Sequence, residues 1–300
     1  MPRYLWLVTE QPRLAEQNAA VVLPEPFVKW FAGKGWAPRA HQIELLAKAQ
    51  AGQSVLLIAP TGAGKTLAGF LPSLVALAGR PKRSRKPGIH TLYISPLKAL
   101  AVDIARNLEA PLEGMALDIT VETRTGDTPA HKRQRQKHAP PDILLTTPEQ
   151  LALLLSAPEL AMLSAYGDAR RFFEDLRYVI LDELDSLVTS KRGHLLALGL
   201  ARLRAFVPGL QTIGLSATVA EPDELRRWLV AQAPVGAMAG LITVAGGAKP
   251  DISILDSRER VPWSGHSARY AIPEIYEAIK KHRTTLLFVN TRSQAELLFQ

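Results

Sequence analysis

The sequence of 300 residues contains no cysteine, which excludes a disulfide framework and a thiolate metal site. It also has no uninterrupted apolar run of the roughly 18 residues that a membrane-spanning helix needs. Residues 1–17 lack a basic start followed by a long apolar block and a small-residue cleavage site, so we expect no signal peptide. These absences favour a protein of the reducing cytoplasm that has no membrane partner.

The residues that are present have the composition of a globular protein, with 47% apolar and 21% charged residues. The length suits about two domains of ~150 residues each. Lysine and arginine number 36, against 28 aspartate and glutamate, which gives a net charge of +8. This excess fits either a basic enzyme or a polyanionic partner such as nucleic acid, and the charge alone leaves both open.

Short apolar runs alternate with helical stretches along the chain. The runs predict buried strands at 54–59, 90–95, 142–147, 178–183, 212–217 and 285–290. Between them, Ser95 and Pro96 are a predicted cap and first residue of one helix, and Thr147 and Pro148 of another. The pattern predicts an α/β fold with a parallel sheet and helices on both faces.

The organisation changes towards the C-terminus. We expect a first domain over residues 1–233, including an N-terminal extension. Residues 234–272 are rich in Pro, Gly and Ser and indicate a connector with one or two short strands. Residues 273–300 read as helix, strand and helix, which is too little to bury a core. We therefore expect them to be the truncated start of a second α/β domain.

The stretch "APTGAGKT", residues 59–66, predicts a phosphate-binding loop. Its small residues let backbone N–H groups curl around a phosphate in front of a helix N-terminus. Lys65 would reach the β- and γ-phosphates of ATP, and the Thr66 hydroxyl would bind Mg²⁺. Ala59 replaces the first glycine of the usual pattern, and the alternative is a chance glycine-rich turn. The predicted ATP-binding residues of this loop are Thr61, Gly62, Ala63, Gly64, Lys65 and Thr66.

Two more polar groups follow predicted strands. In "VILDELD", Asp182 and Glu183 stand where parallel sheets bind ligands, and we expect Asp182 to serve Mg²⁺ and Glu183 to polarise water. The alternative is that these carboxylates only cap the next helix. In "GLSAT", Ser216 and Thr218 are either turn formers or a link between the nucleotide and a second domain.

Several loops suit a phosphate backbone, although each one alone is more often ordinary helix capping. Lys98 lies in "SPLKAL", Arg124, Thr125 and Thr128 in "ETRTGDTP", and Thr147 in "TTPEQL". The basic runs 80–86 and 131–138 are either solvated loops or nucleic-acid contacts. Upstream, Gln42 either hydrogen-bonds an adenine edge or lies on the surface of an amphipathic helix.

Taken together, these motifs resemble those of the superfamily 2 helicases over nearly the whole chain. Stretches such as "HTLYISPLKALAVDIARNLEAPL" and "SKRGHLLALGLARL" are similar to the Lhr-like, ligase-associated DEXH-box DNA helicases of bacteria. The resemblance implies two RecA-like domains with ATP and Mg²⁺ between them. It also implies 3′-to-5′ movement on single-stranded or tailed DNA during repair, with a nuclease and a ligase as partners in the bacterial cytoplasm.

The resemblance also implies roles for single residues. Gly62 to Thr66 would hold phosphates, Asp182 would serve Mg²⁺, and Glu183 would position water. Ser216 and Thr218 would couple hydrolysis to movement. The residues that would line the strand path are Lys98, Arg124, Thr125, Thr147, Asn290, Thr291 and Arg292.

Two features depart from the family pattern. Asp185 stands where the acidic box usually ends in histidine; it can accept a hydrogen bond from Ser216 or Thr218 but cannot donate as imidazole does. We expect hydrolysis to survive this change and the coupling to strand movement to be affected. The later family motifs, including an arginine finger, lie beyond Gln300, so we expect these 300 residues alone to bind ATP weakly and turn it over very slowly.

Two alternatives remain open at this point. The box "DELD" has the DExD form that RNA helicases share, so the motor could act on RNA. The chain could also be a nucleotide-binding module that works only within an assembly.

Overall fold

The computed structural model describes residues 23–80, 88–156, 172–246, 251–255 and 268–299. The N-terminal residues considered for a signal peptide, and nearly all of the basic run at 80–86, lie outside the described residues. The chain divides into two compact units, Met1–Gly247 and Ala248–Gln300.

Seven strands of the first unit form one sheet, and every neighbouring pair in it is parallel. The strands are β1 (Val55–Ile58), β2 (Thr91–Ile94), β3 (Val121–Arg124), β4 (Ile143–Thr146), β5 (Tyr178–Leu181), β6 (Gln211–Ser216) and β7 (Gly240–Thr243). Their order across the sheet is β3-β4-β2-β5-β6-β1-β7.

Helices connect these strands in the described part of the first unit. They are α1 (Glu25–Gly33), α2 (Ala40–Gln50), α3 (Lys65–Ala78), α4 (Lys98–Gly114), α5 (Ala130–His138), α6 (Pro148–Ser156), α7 (Leu184–Val188), α8 (Lys191–Phe206) and α9 (Pro222–Leu229).

The sheet separates two apolar cores, because successive side chains of a strand point to opposite faces. In β1, Val55 and Leu57 belong to one core, and Leu56 and Ile58 belong to the other. Helices α1–α4 contribute to the first core, and α6–α9 contribute to the second. The predicted parallel α/β sheet with helices on both faces is therefore confirmed.

The local predictions differ from the structure at two places in this unit. Residues 122–124, predicted to lie in a loop, belong to β3, an edge strand whose first three residues are only half-buried. Helix α4 begins at Lys98, so the predicted cap at Ser95 and start at Pro96 are wrong. Ser95 instead accepts a hydrogen bond from the Leu97 N–H at 3.3 Å, and this turn precedes the helix.

The first unit takes in part of the stretch predicted as a connector. Strand β7 lies within residues 234–272 and pairs with β1, with Val55 opposite Gly240 and Ile58 opposite Thr243. This agrees with the expectation of a short strand there, and it places that strand in the main sheet.

The second unit contains a 3₁₀ helix (Ala268–Ala271), α10 (Ile272–Lys280) and α11 (Arg292–Phe299). The predicted strand over 285–290 is not formed in the structure, where these residues are irregular and mostly exposed. A strand needs a neighbour to receive its backbone hydrogen bonds, and the described residues of this unit provide none.

The parallel arrangement brings the carboxyl ends of all seven strands to one edge of the sheet. The phosphate-binding loop, the pair Asp182–Glu183 and Ser216 follow or end β1, β5 and β6, which are neighbours. The loops predicted to touch nucleic acid follow β2, β3 and β4, which are also neighbours. One half of this edge therefore carries the nucleotide motifs, and the other half carries the predicted strand path.

Candidate functional site

The predicted phosphate-binding loop joins β1 to α3. Gly62 and Gly64 both have left-handed backbones, with φ of 79° and 76°, which glycine adopts without a steric cost. Gly64 precedes α3, and no side chain caps this helix N-terminus. The first-turn N–H groups of a helix lack intrahelical partners, so they are suited to phosphate oxygens. The Lys65 ammonium donates to the Ala59 carbonyl at 2.8 Å and so lies across the loop.

The first turn of α2 holds the other side of this loop. Three consecutive loop carbonyls, those of Gly62, Ala63 and Gly64, face the side chains of Arg39, His41 and Gln42 respectively. The joining distances are 3.1 Å from Arg39 Nη1, 3.0 Å from His41 Nε2 and 3.4 Å from Gln42 Nε2. In a trans peptide the C=O and N–H groups point in opposite directions. Holding these carbonyls towards α2 therefore directs the N–H groups of Gly64 and Lys65 away from it.

Gln42 was predicted either to meet adenine or to lie on the surface. Its side chain is buried, and its Oε1 accepts from the Arg39 N–H at 2.9 Å while its Nε2 donates to the loop. The surface alternative is therefore wrong. The amide braces the loop in this structure, and its remaining hydrogen-bonding capacity is what a base edge would use.

A cavity of about 620 Å³ opens beside the loop. Its lining includes Gln42, Gly64 and Thr66 together with the aromatic residues Trp30 and Trp36. Trp36 is 59% exposed. An apolar wall with a few polar groups is the usual form of a small-molecule site, and here it adjoins the phosphate-binding loop.

Asp182 follows β5 and is buried, and both of its carboxylate oxygens have partners. Oδ1 accepts from the Glu183 N–H at 3.0 Å, and Oδ2 accepts a short hydrogen bond from the Tyr93 hydroxyl. Burial, followed by the Asp182 charge, raises the pKa of Tyr93 far above its usual value, so this phenol stays protonated and donates. The carboxylate is therefore held in one orientation at the sheet edge.

Glu183 precedes α7 in a left-handed conformation, with φ of 49° and ψ of 48°. Such a backbone is uncommon for a residue with a side chain and stores strain, which tends to occur at functional sites. Burial is the main cause that raises the pKa of Glu183, the Asp182 and Asp185 charges add to it, and Lys65 opposes it. A partly desolvated carboxylate with a raised pKa is a better proton acceptor than a free one.

Asp185 and Ser216 are in contact. The Ser216 hydroxyl donates to Asp185 Oδ1 at 2.5 Å, so the hydrogen bond expected from the sequence is present. Thr218 is exposed, and its carbonyl oxygen lies 3.5 Å from the same hydroxyl. The segment after β6 is thereby tied to the helix that follows Asp182 and Glu183.

The residues predicted to line a nucleic-acid strand are not equally accessible. Lys98 is exposed, and its ammonium pairs with Asp127 at 2.9 Å. Arg124 is 7% exposed, and its guanidinium donates to the Arg133 carbonyl and to Gln136 Oε1. The structure therefore does not present the Arg124 side chain to a strand, because α5 packs against β3 and covers it.

The three threonines selected in these loops, Thr125, Thr128 and Thr147, are buried as well. Thr125 accepts from the Asp127 N–H at 3.3 Å and so braces the turn at Gly126. Thr147 is 4% exposed and precedes α6. Helix α6 begins at Pro148, as predicted. The exposed residues of these loops include Lys98 and Gly126, together with Leu97 and Asp127.

Arg192, which the sequence reasoning did not select, connects two of these loops. It donates to both carboxylate oxygens of Glu149 and, at 2.6 Å, to the Pro96 carbonyl. This hydrogen bonding lowers the pKa of Glu149. Gly193 is required next to it, because a Cβ there would lie 2.2 Å from the Leu187 carbonyl oxygen. The loops after β2 and β4 are thus joined through the start of α8.

Asn290, Thr291 and Arg292 belong to the second unit. Thr291 lies directly before α11, and its hydroxyl accepts from the Gln294 N–H at 3.2 Å. The Asn290 N–H donates to Gln294 Oε1 at 3.1 Å. All three residues are exposed.

The residues present fit ATP and Mg²⁺. The uncapped N-terminus of α3, the two left-handed glycines and Lys65 form a cradle for phosphate oxygens. Thr66 and Asp182 offer oxygen donors, which Mg²⁺ prefers, and Mg²⁺ commonly takes one or two protein ligands together with phosphates. The described residues include no cluster of three or more His, Asp or Glu side chains that could hold a metal. The same part of the chain has no helix long and apolar enough to span a membrane.

Tyr93, Arg39, His41 and Arg192 act through partners that are distant in sequence, so no local motif identifies them. Tyr93 lies 89 positions from Asp182, and Arg192 lies 96 positions from Pro96. Sheet order would have pointed to Tyr93 alone, since it makes β2 and β5 neighbours.

Comparison with known proteins shows the family of this chain. The DEAD/DEAH box helicase family matches residues 39–225. The chain is 38% identical over 291 residues to the Lhr helicase/probable uracil glycosylase of Mycolicibacterium smegmatis, covering 90% of this chain and 18% of that protein. It is 39% identical over 260 residues to the ATP-dependent helicase Lhr-Core of Methanothermobacter thermautotrophicus, covering 82% of this chain and 29% of that protein.

Among solved structures, the Mycobacterium smegmatis helicase Lhr bound to single-stranded DNA and AMP-PNP superposes with a TM-score of 0.75 at 35% identity. The match covers 92% of this chain and 35% of that one, and it confirms the RecA-like fold class. The chain thus spans about a fifth to a third of the length of these relatives. With a family match over residues 39–225 and the motifs gathered at one sheet edge, this chain belongs to the DEAD/DEAH box helicase family.

Proposed function

We propose that this chain is the ATP-binding motor part of a DNA helicase that moves along single-stranded DNA. The observation that carries the proposal is the division of one sheet edge. The phosphate-binding loop, Asp182–Glu183 and Ser216 follow the adjacent strands β1, β5 and β6, and the exposed Lys98 loop lies on the other half. A nucleotide site and a backbone-binding surface on one rigid sheet are what an ATP-driven motor needs.

ATP is the proposed nucleotide, with Mg²⁺ as its cation. The N–H groups of Gly62, Gly64 and Lys65 would donate to phosphate oxygens, whereas the Ala63 N–H already donates to the Pro60 carbonyl at 3.1 Å. The Lys65 ammonium would leave the Ala59 carbonyl to pair with the β- and γ-phosphates. The base would lie in the adjoining cavity, against Trp36 and the Gln42 amide. Thr66 and Asp182 would hold the cation, which supplies neutralisation of the charge that develops during phosphoryl transfer.

Glu183 is the proposed group that orients the attacking water and accepts its proton. Its left-handed backbone directly follows Asp182, whose charge acts on the Glu183 carboxyl group, and its raised pKa makes proton acceptance more favourable. Lys65 lowers the same pKa and so limits this effect. In this proposal Asp182 holds the cation, and Glu183 orients the water and accepts its proton.

Coupling to movement is assigned to Asp185, Ser216 and Thr218. The hydrogen bond between Ser216 and Asp185 connects the segment after β6 with α7, the helix that follows Asp182 and Glu183. A change in the position of Glu183 upon hydrolysis would pass to Ser216 through this bond. Because Asp185 accepts where a histidine would also donate, we expect looser coupling than in helicases with histidine there.

Single-stranded or tailed DNA is the proposed track. The Lhr helicase of M. smegmatis, at 35% identity, was solved with single-stranded DNA and AMP-PNP, which supports this choice. Lys98 and the exposed backbone near Gly126 would hold phosphates, and Asn290, Thr291 and Arg292 would do so from the second unit. Phosphate contacts of this kind position a strand without reading its sequence.

The 3′-to-5′ direction and a role in DNA repair in the bacterial cytoplasm, with a nuclease and a ligase as partners, are part of the proposal. They rest on the resemblance of the motifs to the ligase-associated helicases. The 300 residues by themselves are proposed to bind ATP weakly with little turnover.

The test is the ATPase rate of the full-length protein without nucleic acid, with single-stranded DNA, and with RNA of the same sequence. We expect strong stimulation by DNA and weak stimulation by RNA. Lys65→Ala is the control, and it should abolish nucleotide binding because it removes the phosphate cation. Stimulation by RNA alone would identify an RNA helicase, since the 2′-hydroxyl would then be recognised. ATP binding without stimulation by either nucleic acid would leave a nucleotide-binding module.

A further inference from the structure

Tyr93 occupies a central position behind the proposed nucleotide site. It lies on β2 and is fully buried, and its hydroxyl donates a hydrogen bond to Oδ2 of Asp182, which directly follows the neighbouring strand β5. The other carboxylate oxygen accepts from the Glu183 N–H at 3.0 Å. Each carboxylate oxygen has two lone pairs, so both oxygens keep one that can face a cation.

The ring of Tyr93 is held from the side of α3. It stacks on Phe70 with ring centroids 5.2 Å apart and planes inclined by 23°. Phe70 is four residues after Thr66 on α3, so the two side chains lie on the same face of the helix. The proposed cation ligand on α3 and the ring contact of Tyr93 therefore move together.

Helix α3 is also pressed closely against the sheet next to Phe70. A Cβ at Gly69 would lie 3.0 Å from the Leu215 side chain and 3.3 Å from that of Ile180. These residues belong to β6 and β5, so the helix that carries Thr66 cannot shift relative to the strand that carries Asp182 without breaking this packing.

We infer that Tyr93 is a positioning residue that, through Phe70 on one side and Asp182 on the other, fixes the Asp182 carboxylate relative to Thr66 so that both can hold one divalent cation. The inference rests on the proposed function, which assigns that cation to these two residues. Tyr93 does not touch the nucleotide or the cation itself. Its role is to remove the rotational freedom of a buried carboxylate and to satisfy one of its oxygens.

The test compares Tyr93→Phe with Tyr178→Phe in the full-length protein. Tyr93→Phe keeps the ring and its stacking but removes the donor to Asp182. Tyr178 is a buried tyrosine at the start of β5, the strand whose other end leads to Asp182. Tyr178→Phe is therefore a matched control for the loss of a hydroxyl from a buried tyrosine. Mn²⁺ is the probe, because oxygen-rich sites that suit Mg²⁺ also accept it.

The readout is the dissociation constant of Mn²⁺ in the presence of AMP-PNP, followed by the electron paramagnetic resonance signal of free Mn²⁺. We expect Tyr93→Phe to raise this constant about tenfold, within the range that the loss of a partner of a metal ligand produces. Tyr178→Phe should change it by less than about twofold. AMP-PNP binding in the absence of divalent cation should be the same in both variants.

Phe70→Leu provides a second variant that leaves the hydroxyl and the carboxylate intact. It removes the ring stack, and we expect Mn²⁺ affinity to fall by less than the roughly tenfold loss expected for Tyr93→Phe. Equal Mn²⁺ affinity in Tyr93→Phe and the wild type would overturn the inference and leave Tyr93 a packing residue. A wild-type protein that binds no Mn²⁺ with the nucleotide would overturn the proposed cation site itself, so the two failures are distinguishable.

Discussion

Two glutamates near the sheet edge have pKa values that are shifted in opposite directions. The pKa of Glu183 is raised, first by burial and then by Asp182, whereas the pKa of Glu149 is lowered, first by its hydrogen bond from Arg192. A carboxyl group with a raised folded-state pKa lowers the stability of the fold at neutral pH, because it is ionised there although the folded environment favours its neutral form. One with a lowered folded-state pKa adds stability at neutral pH.

Glu183→Gln should therefore lower activity and raise stability together. We expect nucleotide binding to be unchanged within about twofold and kcat to fall by a factor on the order of 10²–10⁴, the usual contribution of a general base. The melting temperature of the domain at pH 7 should rise by no more than about 2–4 °C, because Glu183 is partly exposed and solvent screens its cost. Single-turnover ATP hydrolysis and thermal unfolding of the full-length protein check the two parts.

The pH dependence of the change in melting temperature tests the role of the Glu183 pKa more directly than the change at pH 7 alone. The folded state binds more protons at Glu183 than the unfolded chain does, so the cost disappears as the pH falls through its raised pKa towards 4.5. The gain from Glu183→Gln should shrink in the same range. Glu149→Gln is the matched control of opposite sign, and it should lower the melting temperature at pH 7 and lose its effect at low pH. A stabilising Glu149→Gln, or a destabilising Glu183→Gln, would contradict this account.

At the scale of elements, the sequence predicted the interior of the sheet better than its edges. The runs that became β1, β2, β4, β5 and β6 are apolar on consecutive positions because each is covered on both faces. Strand β3 was missed because Glu122, Thr123 and Arg124 give it a polar sequence at the sheet edge. The run at 285–290 has the same apolar character as the true strands, yet apolar residues alone do not supply a pairing partner.

The candidate site was predictable where function depends on a short motif. The phosphate-binding loop and the Asp182–Glu183 pair lie at the sheet edge, where the sequence analysis placed them. Arg124 was selected for its charge, and its burial by α5 depends on a helix that the sequence presented only as a basic run. Tyr93 and His41 could not be selected, because their importance depends on contacts that only the folded chain creates.

The first turn of α2 makes a prediction about the phosphate-binding loop. His41 is buried and bonds the Ala63 carbonyl, so His41→Ala would leave that oxygen without its partner. A lost hydrogen bond of about 1 kcal/mol corresponds to roughly a fivefold weaker affinity for ATP. We expect this change in a titration with a fluorescent ATP analogue, with little change of kcat at saturation. His41→Gln keeps a donor and should recover most of the affinity.

A comparison with Arg39 tests whether these side chains act on ATP through the loop carbonyls. Arg39 bonds the Gly62 carbonyl from an exposed position, so Arg39→Ala exchanges the bond for water and should weaken ATP by less than His41→Ala does. If Arg39→Ala were the more damaging change, the guanidinium would be acting on the nucleotide itself and not on the loop.

At the scale of the whole molecule, the net charge of +8 attracts any polyanion, and the question is which cations contact phosphate. Binding to single-stranded nucleic acid weakens with salt in proportion to the number of phosphates neutralised, with a slope of about 0.7 for each. The sequence predicted both Lys98 and Arg124 as phosphate contacts, and the structure distinguishes between them. Lys98 is exposed and paired with Asp127, and Arg124 is buried under α5.

Lys98→Ala should therefore reduce the slope of log K against log salt by about 0.7, measured with single-stranded DNA and the full-length protein. Arg124→Ala should leave the slope unchanged and instead lower the free energy of unfolding by roughly 2 kcal/mol, because charge-assisted hydrogen bonds within the fold are lost. Asp127→Asn should strengthen DNA binding, since an exposed ion pair of about 0–1 kcal/mol no longer competes with phosphate for Lys98. An unchanged slope in Lys98→Ala, together with a reduced slope in Arg124→Ala, would show that Arg124 and not Lys98 contacts phosphate, and would contradict the proposed strand path.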